Sequence, residues 1–92
     1  MHEEALYADL RRKLVEISRD ADGAPILRVR LRLGALGHVD EAAVRDRWPA
    51  LVAGSPAEGS RLEVERSSDP SAPEAGGVLL VEVGLGPPPA PP

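Results

Sequence analysis

From Glu3 to about Asp20 the apolar residues Leu6, Leu10, Leu14 and Ile17 recur at intervals of three and four, while Asp9, Arg12, Lys13, Glu16 and Arg19 fall on the opposite side. That period predicts an amphipathic helix with one face against a core. Glu3 and Glu4 in its first turn complement the positive end of the helix macrodipole, and Asp22-Gly23 followed by Pro25 stops it. The period then changes to two. Leu27, Val29, Leu31 and Leu33 alternate with Arg28, Arg30 and Arg32, which predicts a strand with one buried and one wet face.

Gly34-Ala35-Leu36-Gly37-His38 reads as a flexible loop, and Val39-Asp40 as the start of a second helix, with Asp40 as N-cap and Val39 able to staple onto Val44. Val44, Trp48, Leu51 and Val52 make its apolar stripe. Pro49 falls inside it, removes a backbone donor and predicts a kink or a short break. Gly54-Ser55-Pro56 ends the element, and Leu62-Glu63-Val64-Glu65 resumes strand alternation with Leu62 and Val64 inward. Ser67 to Gly77 has no apolar period and reads as a loop into a third strand, Val78 to Val83. Two strands joined this way are expected to pair antiparallel, whereas the first two, separated by a helix, fit a parallel crossover. The expected architecture is α+β: two helices packed on one face of a small three-stranded mixed sheet. Residues 1–85 would form one domain, and the tail Gly86-Pro87-Pro88-Pro89-Ala90-Pro91-Pro92 a disordered or polyproline segment.

Composition narrows the chemistry. A chain of 92 residues supports one modest core, and with Tyr7 and Trp48 as its aromatics that core must be aliphatic. A net charge of -4 argues against nucleic acid, whose binding draws on clustered cations. With no cysteine there is no disulfide, thiolate zinc site or thiol nucleophile. Charged residues near the start, and no apolar stretch of spanning length, predict no signal peptide, no membrane span and a cytoplasmic location.

Arg28, Arg30 and Arg32 could bind phosphate or an acidic partner, but Glu63, Glu65 and Glu82 also point outward and offer them cross-strand charge pairs. The charge-paired face is the stronger of these alternatives. The proline tail could serve an aromatic groove, though such a tail is more often simply unstructured. No nucleophile elbow, phosphate loop or His-x-x-x-His pair is present, and Ser18 and Ser55 have no nearby base, so an enzyme is not expected. His2 differs because a free α-amine precedes it by one residue. The Met1 amine, the His2 amide nitrogen and the His2 imidazole Nδ1 can close adjoining chelate rings, with a fourth position left for a carboxylate such as Glu3; an in-plane nitrogen set of this kind suits Ni(II) or Cu(II). A bulky residue at position two is expected to leave Met1 in place. Against this stands the reading of His2 as an exposed terminal residue without a role.

Met1-His2-Glu3 leading into an amphipathic helix resembles the HypA/HybF family of nickel-insertion accessory proteins for nickel-iron hydrogenases. Val29-Arg30-Leu31-Arg32-Leu33-Gly34-Ala35-Leu36 looks like that family's first strand and its Gly-Ala-Leu loop, and the run Gly54 to Glu65 like its approach to the second strand. The resemblance covers roughly Met1 to Arg66 and the closing strand from Val78. It implies that nickel is held through the Met1 N-terminal amine and His2, with acidic side chains at Glu3 and Asp40. It also implies two partners, a maturation GTPase and the hydrogenase large-subunit precursor. The family's zinc module, with its two Cys-x-x-Cys pairs, lies between the second and third strands, where this sequence has only Ser67 to Gly77. Ni(II) without zinc is therefore the expected metal. Pro49 and His38 depart from the family pattern, and His38, two residues from Asp40, is a further candidate ligand. Three roles stay open at this point: a nickel metallochaperone without a zinc module, a degenerate member acting as a protein-binding adaptor, or a general binding module whose Met-His start is accidental.

Overall fold

The computed structural model describes residues 3–36, 39–71 and 77–89. In chain order they form α1 (Glu3–Asp20), β1 (Ile26–Leu33), α2 (Glu41–Val52), β2 (Arg61–Arg66) and β3 (Val78–Leu85). The sheet order is β2-β1-β3, with β2 parallel and β3 antiparallel to β1. This is the expected small α+β fold with a mixed sheet. The pairing of the last two strands is corrected, since β2 and β3 occupy opposite edges and each pairs with β1. The reason lies in β1, whose Val29, Leu31 and Leu33 are at most 1% exposed and need a strand on either side. Crossing the end of β1 spans two strand spacings, about 10 Å, which the segment from Ser67 to Gly77 covers easily.

One face of the sheet carries the core. Tyr7, Leu10 and Leu14 from α1 and Val44, Trp48 and Val52 from α2 pack with Ile26, Val29, Leu31 and Leu33, and Leu62, Val64, Leu80 and Val83 complete the layer half-buried. The buried line of α1 is Tyr7, Leu10, Leu14 and Ser18, with Leu6 and Ile17 half-buried on its flanks. The apolar period therefore located the correct face but rotated it slightly, because it overlooked an aromatic ring and a small hydroxyl. Ser18 tolerates burial because its Oγ donates to the Ala24 carbonyl at 2.7 Å. On the wet side of α1, Arg12 bonds Asp9 and Glu16, and Lys13 Nζ lies 3.2 Å from Asp9. The Arg12 guanidinium, seconded by Lys13, holds the Asp9 carboxyl below the usual carboxylate range.

Two details of β1 and α2 depart from the local pattern. Leu27, expected inward, is 55% exposed, and Ile26 takes the core position at 2%. A register shift against β3 between Ile26 and Arg28 inserts Leu27 as an extra residue, so the strict period of two fails at that bulge. A second shift, between Arg30 and Leu31, leaves Val81 extra on β3. In α2 the helix runs through Pro49 without the expected break. Pro49 sits on the exposed side, where water can solvate the Arg45 carbonyl it frees, while Trp48 and Val52 anchor the helix to the core.

The outer face of the sheet bears the charge pairs expected of the arginine row. Arg28 lies 3.4 Å from Glu82, Arg30 bridges Glu63 and Glu82 at 3.4 Å each, and Arg32 bonds Glu65 at 2.7 Å. These cations are committed to neighbouring strands.

Candidate metal centre

The topology decides which residues share an end of the molecule. β2 runs parallel to β1, so α2, which connects them, runs back against β1; α1 likewise ends where β1 begins. Both helices therefore run opposite to β1 and parallel to each other. Two contacts fix their register. The Arg47 guanidinium carbon stands 4.5 Å from the centroid of the Tyr7 ring, and one turn later Arg11 Nη1 donates to the Leu51 and Ala53 carbonyls at 2.6 and 2.9 Å. Tyr7 with Arg47 and Arg11 with Leu51 keep the same offset in sequence. Carried one turn towards the N-termini, that offset sets Glu3, the first residue of α1, level with Ala43 in the first turn of α2. The N-terminal end of α1 and Asp40 thus belong to the same end of the fold, beyond the C-terminal end of β1.

Asp40 occupies the N-cap position of α2 with extended backbone (φ -95, ψ 135), and its carbonyl accepts the first helical bond from Val44 N–H at 3.1 Å. Its side chain makes no cap hydrogen bond. The expectation of a carboxylate engaged in capping is corrected here: only the backbone has N-cap form, and the exposed carboxylate keeps its lone pairs. Val39 packs half-buried against the core that contains Val44, as a staple would. Met1, His2, His38 and the side chain of Glu3 lie outside the described residues. Among the described residues no group of three His, Cys, Asp or Glu side chains gathers in a way that could hold a metal.

Arg66, which the sequence pattern did not single out, organises the loop before Asp40. Its Nη1 donates to the Gly34 carbonyl at 3.2 Å and its Nη2 to the Val39 carbonyl at 2.7 Å. A signal for it was present. Leu62 and Val64 point inward on β2, so Arg66 falls on the same parity, paired with the buried Leu33. A guanidinium cannot stay in an apolar layer, and at a strand end its stem can carry the charge up to the loop carbonyls. The same end holds Ser67, whose N–H donates to Leu33 O at 2.8 Å, and Gly77, whose carbonyl accepts from Gly34 N–H at 2.8 Å. On the loop beyond, Ser71 donates to Asp69 through both hydroxyl and backbone, which lowers the Asp69 carboxyl below its usual range.

Elsewhere the polar groups suit structure better than chemistry. Ser18 and Ser55 both use their hydroxyls on backbone carbonyls, of Ala24 and Val52 respectively. The open groove of about 740 Å³ between α1 and α2 sets Asp46 beside Arg11 and Arg47, a balance that does not favour a cation. No helix among the described residues is long and apolar enough to cross a membrane.

The chain is similar to known proteins over most of its length. The family described as HypA, hydrogenase/urease nickel incorporation, metallochaperone, matches residues 1–70. The hydrogenase maturation factor HypA of Methylocella silvestris is 37% identical over 65 residues, which cover 71% of this chain and 58% of that protein. The hydrogenase maturation factor HypA of Azorhizobium caulinodans is 39% identical over 64 residues, covering 70% of this chain and 57% of that protein. The chain therefore spans less than two thirds of the length of these curated relatives.

Proposed function

This chain belongs to the HypA family, and from that membership we propose that it carries Ni(II) as cargo for nickel-iron hydrogenase maturation, through a site built on its own N-terminus. In this reading the Met1 amine and His2 supply the nitrogen donors, Glu3 and Asp40 the carboxylates, and His38 a further imidazole. Nickel is released to the hydrogenase large-subunit precursor with the help of a maturation GTPase, in the cytoplasm and without a zinc module. Neither nucleic acid nor membrane takes part, and the chain performs no catalysis of its own.

The observation that supports this most is the shared offset of Tyr7–Arg47 and Arg11–Leu51, which puts the start of α1 and Asp40 at one end of the fold. A carboxylate 40 positions along the sequence thereby becomes available to an N-terminal chelate. That Asp40 makes no cap hydrogen bond favours the same reading, since a carboxylate engaged in capping would have a lone pair already taken.

The adaptor role draws support from a different observation, the complete lack of cysteine. If the zinc module that the family resemblance implies serves delivery, a chain without one could keep only the partner-binding scaffold. Calorimetric titration of untagged protein with Ni(II) separates the two. A saturable one-to-one site supports the metallochaperone; no heat above that of dilution assigns the chain to the adaptor role.

A further inference from the structure

We infer that Arg66 is a positioning residue for the nickel site, acting through the peptide that joins Val39 to Asp40. The inference rests on the proposed nickel reading and adds a residue to it. Arg66 Nη2 donates to the Val39 carbonyl at 2.7 Å, so it grips the peptide unit whose nitrogen belongs to Asp40. Through Nη1 the same guanidinium holds the Gly34 carbonyl, directly after the buried end of β1. One planar fork thus spans the loop between β1 and α2 and ties Asp40 to the sheet. Asp40 needs such a tie, because its side chain makes no cap hydrogen bond and its direction follows from its backbone alone. A planar fork meets the two carbonyls with two separate nitrogens held in a fixed geometry, whereas an ammonium would have to reach both from a single nitrogen on a flexible stem.

The sign of the effect separates positioning from charge. Arg66 is a cation at the end of the fold that would receive Ni(II), so by electrostatics alone its removal would tighten binding. Positioning predicts the reverse. Loss of an outer support for a metal ligand weakens affinity by about 10- to 100-fold, and for one ligand held through its backbone the lower figure is expected.

The test is a calorimetric double-mutant cycle on full-length, untagged protein with Ni(II). Arg66→Ala is expected to bind about tenfold more weakly than the native chain, and in an Asp40→Asn background the same substitution is expected to have no further effect. Arg66→Lys keeps the charge and the apolar stem, guards against a folding artefact, and is expected to fall between the two. Unchanged or tighter binding by Arg66→Ala overturns the inference. So does an equal loss in the Asp40→Asn background, which would make Arg66 independent of Asp40, and so does native affinity in Arg66→Lys if Arg66→Ala does not fold. If the native chain itself shows no Ni(II) site, the nickel reading fails and this inference falls with it, an outcome distinct from a native chain that binds and an Arg66 variant that binds equally well.

Discussion

Where the helices give way to strands, polar groups are engaged with backbone. Ser18 closes onto Ala24, Ser55 Oγ bonds Val52 O and accepts from Ala57 N–H, Gly54 N–H finds the Glu58 carboxylate, and Ile26 N–H and Gly86 N–H pair with the Pro56 and Pro25 carbonyls. Gly23, Gly54 and Gly59 supply positive φ for these turns. At the opposite end, beyond the C-terminal end of β1, Arg66 secures the loop but the Asp40 carboxylate is not used for capping. Hydrogen bonds that finish an element occupy the polar groups that make them. A site for a cation needs lone pairs left over, and among the described residues the Asp40 carboxylate offers them at this end.

The sharpest way to break this contrast is at the first residue. Adding one residue before Met1 converts the α-amine to an amide and moves the imidazole out of the small chelate rings. Nickel affinity is expected to fall by about 100-fold, as badly as in His2→Ala, with the melting temperature unchanged. Because the amine must lose its proton to bind, the native affinity is expected to rise with pH through about 8, and calorimetry at several pH values checks both points. Tight binding by a folded, extended chain would remove the functional end from the comparison altogether.

At the structural end the effects reverse. Ser18→Ala leaves the Ala24 carbonyl without its partner in a site where Ser18 is 2% exposed, and is expected to cost roughly 1–2 kcal/mol in denaturant melts while leaving nickel affinity intact. Asp40→Ala sharpens the contrast from the other side. With no cap hydrogen bond to lose, its stability is expected to stay within about 0.5 kcal/mol of the native chain, although nickel binding falls roughly tenfold. A loss nearer the full value of a cap, about 1 kcal/mol, would show that the side chain caps in solution and that the two ends are less different than they look.

The smallest effect lies on neither end. Glu63→Gln and Glu65→Gln on the outer face of the sheet are each expected to cost about 0.2–1 kcal/mol, less at about 1 M salt, and to leave nickel affinity alone. Nickel binding that responded to these changes would mean that the two faces of the sheet are coupled.

What the sequence disclosed follows the range of the interaction. The helix from Glu3 to Asp20, the inward row Val29, Leu31 and Leu33, and the outward parity of Arg30 and Arg32 and of Glu63 and Glu65 depend on local period, and all are visible in the chain. Strand order is not local. It depends on which strand most needs cover on both sides, and the proximity of two strands in sequence misled. Leu27 was misread because a bulge, made by pairing with a distant strand, shifts the parity that the alternation assumes. Arg66 was legible in principle, as a cation on an inward parity, but its partners are carbonyls, and carbonyls carry no sequence signature. Of the candidate ligands, Asp40 was rightly placed at the helix start, while the role of its side chain could be judged only from the hydrogen bond it does not make.

The two hydrogen bonds at the tip of β1 have an evolutionary consequence. Ser67 and Gly77, the feet of the connection between β2 and β3, stand on Leu33 and Gly34, which are neighbours in sequence. Entry and exit of that connection are therefore held close together by the sheet, whatever lies between them. Lengthening a closed loop is entropically mild, about 0.6 kcal/mol for each doubling, so the junction tolerates material of very different size. A longer insertion, such as the zinc module that the family resemblance implies, could be gained or deleted at this seam as a cassette. The core, the arginine fork and the start of α2 would be inherited unaltered on either side of the splice.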